Sequence, residues 1–195
     1  MLAEKYKIVT GEGWVTGGLN VQYKVVDGVL YFQCTHGVSD WFFNLFAAKV
    51  TYDEHGITVI AHAGFAALWL SIRSDIEKLS YSEIDGYSEG SALAAAAHLN
   101  YVARMGKEPN SYAFATPRYF DRKTAKSLGK WFTQFHRINN KWDIVKHVPF
   151  AGWYFRHIGK ETLTTGKAKR PIGCSLLRWL SGHSPEEYMQ TLAKM

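Results

Sequence analysis

Cysteine, proline and long apolar runs are all scarce in this chain of 195 residues. Its two cysteines, Cys34 and Cys174, allow at most one bridge, which excludes a disulfide framework and a cysteine-based zinc module. No apolar run approaches the roughly 20 residues that a membrane-spanning helix needs. The N-terminal sequence Met-Leu-Ala-Glu-Lys-Tyr-Lys has no apolar segment of the kind that signal peptides contain. The sequence therefore predicts a cytoplasmic location with reduced thiols.

With only five prolines and no repeated or low-complexity segment, nothing in the sequence marks a division of the chain. The composition is 47% hydrophobic and 21% charged, which is typical of a globular protein. A length of 195 residues lies within the usual range of one domain. We expect a single domain that covers residues 1–195.

The chain carries 23 Lys and Arg against 17 Asp and Glu, a formal net charge of +6. The basic residues are spread out, and neither a basic helix nor a known nucleic-acid-binding module is visible. Nucleic acid is therefore not an expected partner. The one modest concentration of basic residues consists of Lys160, Lys167, Lys169 and Arg170. A solvated loop is the favoured interpretation of residues 167–170, and weak attraction to an anionic membrane surface is the functional alternative.

Short β-type segments alternate with helical ones along the chain. Residues 21–26 and 29–34 flank Asp27-Gly28, a dipeptide that strongly favours a β-hairpin. Further helices are predicted at 65–79, 89–104 and 123–133, and further strands at 57–61, 81–85, 111–115, 135–138 and 154–157. This alternation predicts an α/β fold with a mostly parallel central sheet and helices on both faces.

The most informative segment is Gly86-Tyr87-Ser88-Glu89-Gly90, which lies between a predicted strand and a long Ala-rich helix. A nucleophilic serine needs a sharp, strained strand-to-helix turn, and flanking glycines let the neighbouring backbone pass without a Cβ clash. The free N–H groups at the start of the helix favour the anion that forms when an ester carbonyl is attacked. The pattern thus indicates Ser88 as a nucleophile, with a tight packing turn as the alternative.

A nucleophilic serine requires a histidine as its base, and in α/β-hydrolases the order along the chain is serine, acid, histidine. Three histidines remain after His98 and His136 are set aside by position: His147, His157 and His183. His157 is favoured because it leaves room for the chain to return over Ser88. His183, in the last turn, fits the order along the chain but is not favoured as the base. Asp143 is the favoured acid, and Asp121 is its competitor.

Several further blocks occur in an order that resembles the class 3 lipases, a branch of the α/β-hydrolases. Three blocks precede or include the serine: Tyr31-Phe32-Gln33-Cys34-Thr35 with Asp40-Trp41, His62-Ala63-Gly64-Phe65, and Gly86-Tyr87-Ser88-Glu89-Gly90. Three follow it: Tyr112-Ala113-Phe114-Ala115-Thr116-Pro117-Arg118, the acid block around Asp143, and Tyr154-Phe155-Arg156-His157-Ile158-Gly159-Lys160-Glu161. The resemblance covers residues 29–161 and implies an α/β-hydrolase fold.

The resemblance also implies roles for individual residues. Ser88 would be the nucleophile, His157 the general base and acid, and Asp143 the residue that orients the imidazole. The backbone N–H groups of Thr35 and Glu89 would form the oxyanion hole. Such an enzyme needs no metal and no organic cofactor. The implied activity is hydrolysis of a carboxylic ester of a lipid or a small acyl alcohol through an acyl-enzyme.

The chain departs from the family pattern at several positions near the serine. Gln33-Cys34 replaces Arg-Gly before Thr35, Tyr87 replaces the usual histidine, and Glu89 replaces an apolar residue. A carboxylate that pointed into the oxyanion hole would disfavour the intermediate. These departures leave open a hydrolase fold without catalytic power that serves as a binding module. The aromatic content and the positive net charge leave open a phospholipase, and an acyltransferase could use the same triad. The apolar residues 41–46 are interpreted as core, with a border of the entrance as the alternative.

Overall fold

The computed structural model describes residues 2–33, 48–149, 154–164 and 183–192. Its helices are α1 (Leu2–Thr10), α2 (Ala63–Ile76), α3 (Glu89–Met105), α4 (Arg122–Leu128) and α5 (Pro185–Leu192). Among the described residues, no helix combines the length and the apolarity needed to cross a membrane.

The strands form two sheets. Their bounds are β1 (Val15–Thr16), β2 (Gln22–Val26), β3 (Val29–Gln33), β4 (Lys49–Glu54), β5 (Ile57–His62), β6 (Glu83–Tyr87), β7 (Asn110–Phe114), β8 (Phe120–Asp121), β9 (Phe135–Asn140), β10 (Phe155–Arg156) and β11 (Lys160–Thr164). The main sheet has the order β1-β2-β3-β6-β7-β9-β11, and its strands from β3 to β11 are parallel. The predicted α/β fold with a mostly parallel central sheet is confirmed.

The hairpin predicted at Asp27-Gly28 is present between β2 and β3, which pair antiparallel. Asp27 and Gly28 both have positive φ angles, 50° and 76°, as a two-residue turn between twisted strands requires. The hairpin adds β1 and β2 to the outer edge of the parallel strands. Because β3 is thereby held next to β6, the hairpin fixes the strand that neighbours the one leading into Ser88.

The prediction for the last strands needs correction. The segment predicted as a strand at 154–157 forms only β10, a two-residue strand in a second, antiparallel sheet with the order β10-β8-β5-β4. β4 and β11 were not predicted, and β11 completes the parallel edge beside β9. β4 is missed because its side chains alternate only between exposed and half-buried along most of its length, which gives a weak apolar pattern.

Helices cover both faces of the main sheet, as predicted. On one face α2 and α3 pack into a large apolar core that includes Trp69, Ile72 and the alanines of α3. On the other face α1 and α5 contribute to a smaller cluster whose aromatic members are Tyr6, Tyr31, Tyr87, Phe114 and Tyr188. We call this second group the aromatic cluster. The aromatic cluster adjoins the turn that carries Ser88, because its member Tyr87 is the residue before Ser88.

A buried carboxyl group, that of Asp85 in β6, ties α1 to the sheet. Lys5 of α1 lies 3.4 Å from its Oδ2 atom, and the backbone N–H of Tyr112 donates to its Oδ1 atom at 3.2 Å. Burial raises the pKa of Asp85 to about 7, although the Lys5 charge partly offsets the effect. The charged form is therefore disfavoured in the folded protein relative to the unfolded chain.

The Asp85 carboxyl predicts a pH-dependent stability. Because its folded-state pKa is raised, its contribution is most favourable below the unfolded value near 4 and is lost as the pH rises through about 7. We expect Asp85→Asn to raise the free energy of unfolding at pH 8 by ~2–4 kcal/mol and to leave it little changed at pH 4. Denaturant unfolding at both pH values checks this. A loss of stability at pH 8 would mean that the Lys5 ion pair outweighs the cost of burial.

Candidate active site

Ser88 lies on the sharp turn between β6 and α3 that its flanking glycines predict. Its φ and ψ angles are 57° and −122°, a conformation that costs a non-glycine residue about 1–3 kcal/mol. The backbone N–H of Ser88 donates to the carbonyl of Phe114 at 2.9 Å, which holds the turn against the end of β7. The strained conformation is the one expected for a nucleophile placed at the end of a parallel strand.

Both glycines of the turn allow close backbone contact. A Cβ on Gly86 would lie 2.3 Å from the carbonyl oxygen of Gly90, and a Cβ on Gly90 would lie 2.4 Å from that of Phe32. Neither distance is compatible with a side chain, so α3 can begin this close to β3 only with glycine at both positions. The spacing of glycine, serine and glycine is thus required by the local geometry.

The histidine that contacts Ser88 is His183. Its Nε2 atom lies 3.0 Å from the Oγ atom of Ser88, and its Nδ1 atom lies 3.1 and 3.2 Å from the two carboxylate oxygens of Asp143. The serine and the acid predicted from the sequence are therefore brought together, with an imidazole between them. This is the arrangement of a nucleophile, a base and an orienting acid.

The carboxylate of Asp143 is buried and held by two further donors. The backbone N–H of Val145 donates to Oδ1 at 2.8 Å, and the hydroxyl of Tyr188 in α5 donates to Oδ2 at 2.6 Å. The same hydroxyl accepts from the backbone N–H of Asn140 at 2.9 Å. Burial, with the adjacent Asp143 charge, raises the pKa of Tyr188 well above its ordinary value, so this hydroxyl stays protonated and donates. Tyr188 thus belongs to the site, and no sequence pattern pointed to it.

His157 does not contact Ser88, and the assignment made from the sequence is corrected here. Its Nε2 atom bonds the carbonyl oxygen of Lys146 at 2.7 Å, within the loop that follows Asp143. Burial, together with the nearby Arg137 charge, lowers the pKa of His157 to about 3. The imidazole is therefore neutral and donates its Nε2 proton to that carbonyl. His157 supports the acid loop, and the position expected for it beside the serine belongs to His183.

The other candidates considered in the sequence have structural contacts of their own. His147 ends a 3-10 turn (Val145–His147), and its carbonyl accepts from Arg118 at 2.6 Å. Asp121 caps the N-terminus of α4 by accepting from the backbone N–H of Thr124 at 2.8 Å. Burial alone would raise the pKa of Asp121, but the Thr124 hydrogen bonds and Lys49 lower it below its usual value. Neither contact involves the serine.

Of the two predicted oxyanion donors, one can be located. Glu89 is the first residue of α3, directly after Ser88, and is almost completely buried. Thr35 lies outside the described residues, as do Cys34 and residues 41–46. The backbone N–H of Glu89 is therefore placed at the start of a helix directly after Ser88, where a developing anion would be favoured.

In the described part of the chain, one group of side chains brings metal-ligating atoms within 4.8 Å of one another: Glu54, His55 and Glu77. Hydrogen bonds already occupy these atoms. The Glu54 carboxylate accepts from Trp69 and Asn100 at 2.7 Å each, and His55 lies 2.8 Å from Glu77. The group thus forms a network that joins the β4–β5 turn to α2 and α3.

Comparison with solved structures gives fungal lipases. A Rhizomucor miehei lipase in complex with its propeptide superimposes with a TM-score of 0.68 at 20% identity, covering 89% of this chain and 64% of that one. Lipase II from Rhizopus niveus gives a TM-score of 0.65 at 21% identity, covering 83% of this chain and 76% of that one. A triacylglycerol lipase whose catalytic centre is a serine protease triad gives a TM-score of 0.67 at 20% identity, covering 78% of this chain and 65% of that one.

These likenesses confirm the α/β-hydrolase fold. The chain spans about two thirds of the length of the fungal lipases that it resembles. A comparison with curated protein sequences gave no match. The family model for lipase (class 3) matches residues 29–153, a segment that includes both Ser88 and Asp143. Since that match extends over more than half of the sequence, the chain belongs to the class 3 lipase family.

Proposed function

We propose that this protein is a serine hydrolase that cleaves carboxylic esters of lipids or of small acyl alcohols. The observation that carries the proposal is the continuous hydrogen-bonded series from Ser88 through His183 to Asp143, which begins on a strained strand-to-helix turn. Membership of the class 3 lipase family supports the same activity. The fungal relatives supply the substrate class by analogy, since their names describe lipases.

The reaction follows from the positions of these groups. His183 Nε2 accepts the hydroxyl proton of Ser88 as Oγ attacks the ester carbonyl. The resulting oxyanion is stabilised by the N–H of Glu89 and by a second donor, for which Thr35 remains our prediction. The imidazolium then protonates the leaving alcohol, which leaves the acyl group on Ser88. His183 next removes a proton from water, which attacks the acyl-enzyme, and the returned proton regenerates Ser88.

The experiment that tests this proposal combines turnover with labelling. We expect the wild-type protein to hydrolyse at least one member of a nitrophenyl ester series with two to sixteen acyl carbons. A fluorophosphonate should modify Ser88 with one label per chain, and mass spectrometry of the peptide locates it. Ser88→Ala should show neither result. A folded wild-type protein that neither turns over an ester nor takes the label would contradict the proposal.

A binding module without catalysis is the second candidate. The buried residue Glu89, directly after Ser88, favours it. Glu89 is 4% exposed, and a carboxylate that pointed at a developing oxyanion would disfavour it. The experiment above separates the two functions, because a module without catalysis would bind lipid esters without labelling. Transfer of the acyl group to an alcohol instead of water uses the same acyl-enzyme and is tested by adding alcohol acceptors.

A further inference from the structure

The ring of Tyr87 lies face to face with the imidazole of His183. The two ring centroids are 5.2 Å apart and the planes differ by 11°. The Tyr87 hydroxyl also donates a hydrogen bond to the backbone carbonyl of His183. One side chain therefore contacts both the ring and the main chain of the residue that we propose as the base.

Tyr87 is itself firmly placed. It is the last residue of β6, pairs with Phe114 of β7 in the parallel register, and is 7% exposed. Its ring meets Tyr6 at 90° with centroids 5.4 Å apart, and Tyr188 at 79° with centroids 6.0 Å apart. Because a central strand and two buried aromatic rings hold Tyr87, it can act as a fixed reference surface for a neighbour.

His183 needs such a surface more than a residue on a strand would. It lies in a turn two residues before α5 begins at Pro185, outside any helix or strand. Its hydrogen bonds to Ser88 and Asp143 are made by Nε2 and Nδ1, at opposite edges of the ring. Two such bonds locate the edges but leave the ring free to tilt about the line that joins the two nitrogens. A ring stacked on the face blocks that tilt.

We propose that Tyr87 is a positioning residue that sets the plane of the His183 imidazole and anchors its main chain. This inference rests on the proposed function of the same site. Proton transfer requires the Nε2 lone pair to point at Ser88 Oγ during acylation and at the attacking water during deacylation, so misalignment slows both. The aromatic face also interacts favourably with the positive charge that the imidazole carries during each step.

Variants at Tyr87 and at a matched position test the proposal. We expect Tyr87→Leu to lower kcat about 100-fold with KM changed less than about threefold, because misplacement acts on the chemical steps. Tyr87→Phe keeps the stacked ring and loses the hydrogen bonds of the hydroxyl, including the one to the His183 carbonyl, so kcat should fall about three- to tenfold. Tyr31→Leu is the control, because Tyr31 is a buried tyrosine of the same aromatic cluster. It should leave kcat within about threefold of the wild type.

A spectroscopic readout separates positioning from stability. In protein labelled with 15N-histidine, the His183 nitrogens are assigned by their absence from His183→Gln. The wild type, Tyr87→Phe and Tyr31→Leu should show one tautomer with the proton on Nδ1, whereas Tyr87→Leu should show exchange between tautomers. If Tyr87→Leu fails to fold, Tyr87→Phe still tests the proposal through its expected three- to tenfold fall in kcat.

The proposal is overturned if Tyr87→Leu keeps kcat within threefold of the wild type. It is also overturned if Tyr31→Leu loses as much activity as Tyr87→Leu at a similar melting temperature, or if Tyr87→Phe loses none. A wild type that takes no fluorophosphonate label refutes the proposed function instead. The tautomer measurement then still decides the role of Tyr87, because it requires no turnover.

Discussion

His183→Ala is expected to lower kcat on the preferred ester by about 10⁴–10⁶-fold, close to the loss expected for Ser88→Ala. In the proposed mechanism serine and histidine act as a unit, since the imidazole accepts the Ser88 proton during attack and activates water afterwards. His183 is the histidine that lies 3.0 Å from Ser88 Oγ, and it also contacts Asp143. The variant should fold normally, because the His183 side chain is partly exposed and near the surface.

His157→Ala is the matched control for that prediction. We expect at most about a tenfold fall in kcat together with a loss of ~1–3 kcal/mol in the free energy of unfolding, because the carbonyl of Lys146 loses its buried donor. The measurements are steady-state kinetics of the ester reaction and denaturant unfolding of each variant. If folded His157→Ala were inactive and His183→Ala retained turnover, the base would be His157 and the assignment from geometry would be refuted.

The positions of Ser88 and Asp143 were predictable because local sequence determines their surroundings. A strand, two glycines at fixed spacing and an Ala-rich helix were all readable, and each has a physical function in the turn at Ser88. Asp143 was favoured because it follows a predicted strand. In the structure it follows β9 and lies in a loop in which the backbone N–H of Val145 donates to its carboxylate.

The histidine that contacts Ser88 was not predictable from spacing. The residues around His157 match the histidine block of the family, but they do so because they have structural roles. Gly159 has a positive φ of 78°, and a Cβ there would lie 2.4 Å from the carbonyl oxygen of Phe135. Glu161 accepts hydrogen bonds from Asn139 at 2.8 Å and from Arg137 at 3.3 Å. Both residues thus secure β11 beside β9, and their resemblance to a histidine block does not bring His157 to the serine.

The sequence favoured His183 less strongly than His157. The order of serine, acid and histidine along the chain holds for His183 as well as for His157, but sequence distance cannot say which residue returns to the site. That return depends on α5 packing against α1, where Tyr188 stacks on Tyr6 with centroids 5.7 Å apart. Such long-range aromatic packing leaves no periodic pattern to read.

Other inferences from the sequence stay predictions. They include the single domain over residues 1–195, the cytoplasmic location and weak membrane association. The catalytic roles of Ser88 and Asp143, the oxyanion donors Thr35 and Glu89 and the acyl-enzyme mechanism also stay predictions. Much of the fold required only local patterns, because β6 and β7 are short segments next to a helix or turn. β11 was missed since four of its five residues are exposed, which leaves no apolar pattern. α1 was missed since only Tyr6 and Val9 of its nine residues are buried, which is too few for a clear apolar stripe.

Asp143→Asn is expected to lower kcat by about 10³–10⁴-fold while the fold is kept. Val145 donates its N–H to Oδ1, so the single oxygen of an asparagine is best placed there. The amide nitrogen then occupies the Oδ2 position and donates to His183 Nδ1. That donation places the imidazole proton on Nε2, where it faces Ser88 Oγ and prevents removal of the serine proton. The Tyr188 hydroxyl can turn to accept from the amide, which limits the loss of stability.

The competing acid supplies the control, because Asp121→Asn keeps a residue that caps helices about equally well. Asparagine at position 121 can still accept from the N–H of Thr124, and only the ion pair with Lys49 at 3.3 Å is lost. We therefore expect kcat within about twofold of the wild type and a loss of roughly 0.5 kcal/mol or less in the free energy of unfolding. Steady-state kinetics and thermal unfolding of both variants provide the comparison. Full activity in Asp143→Asn would show that the imidazole of His183 reaches its productive tautomer without the carboxylate, and the three-residue mechanism would then fail at its third member.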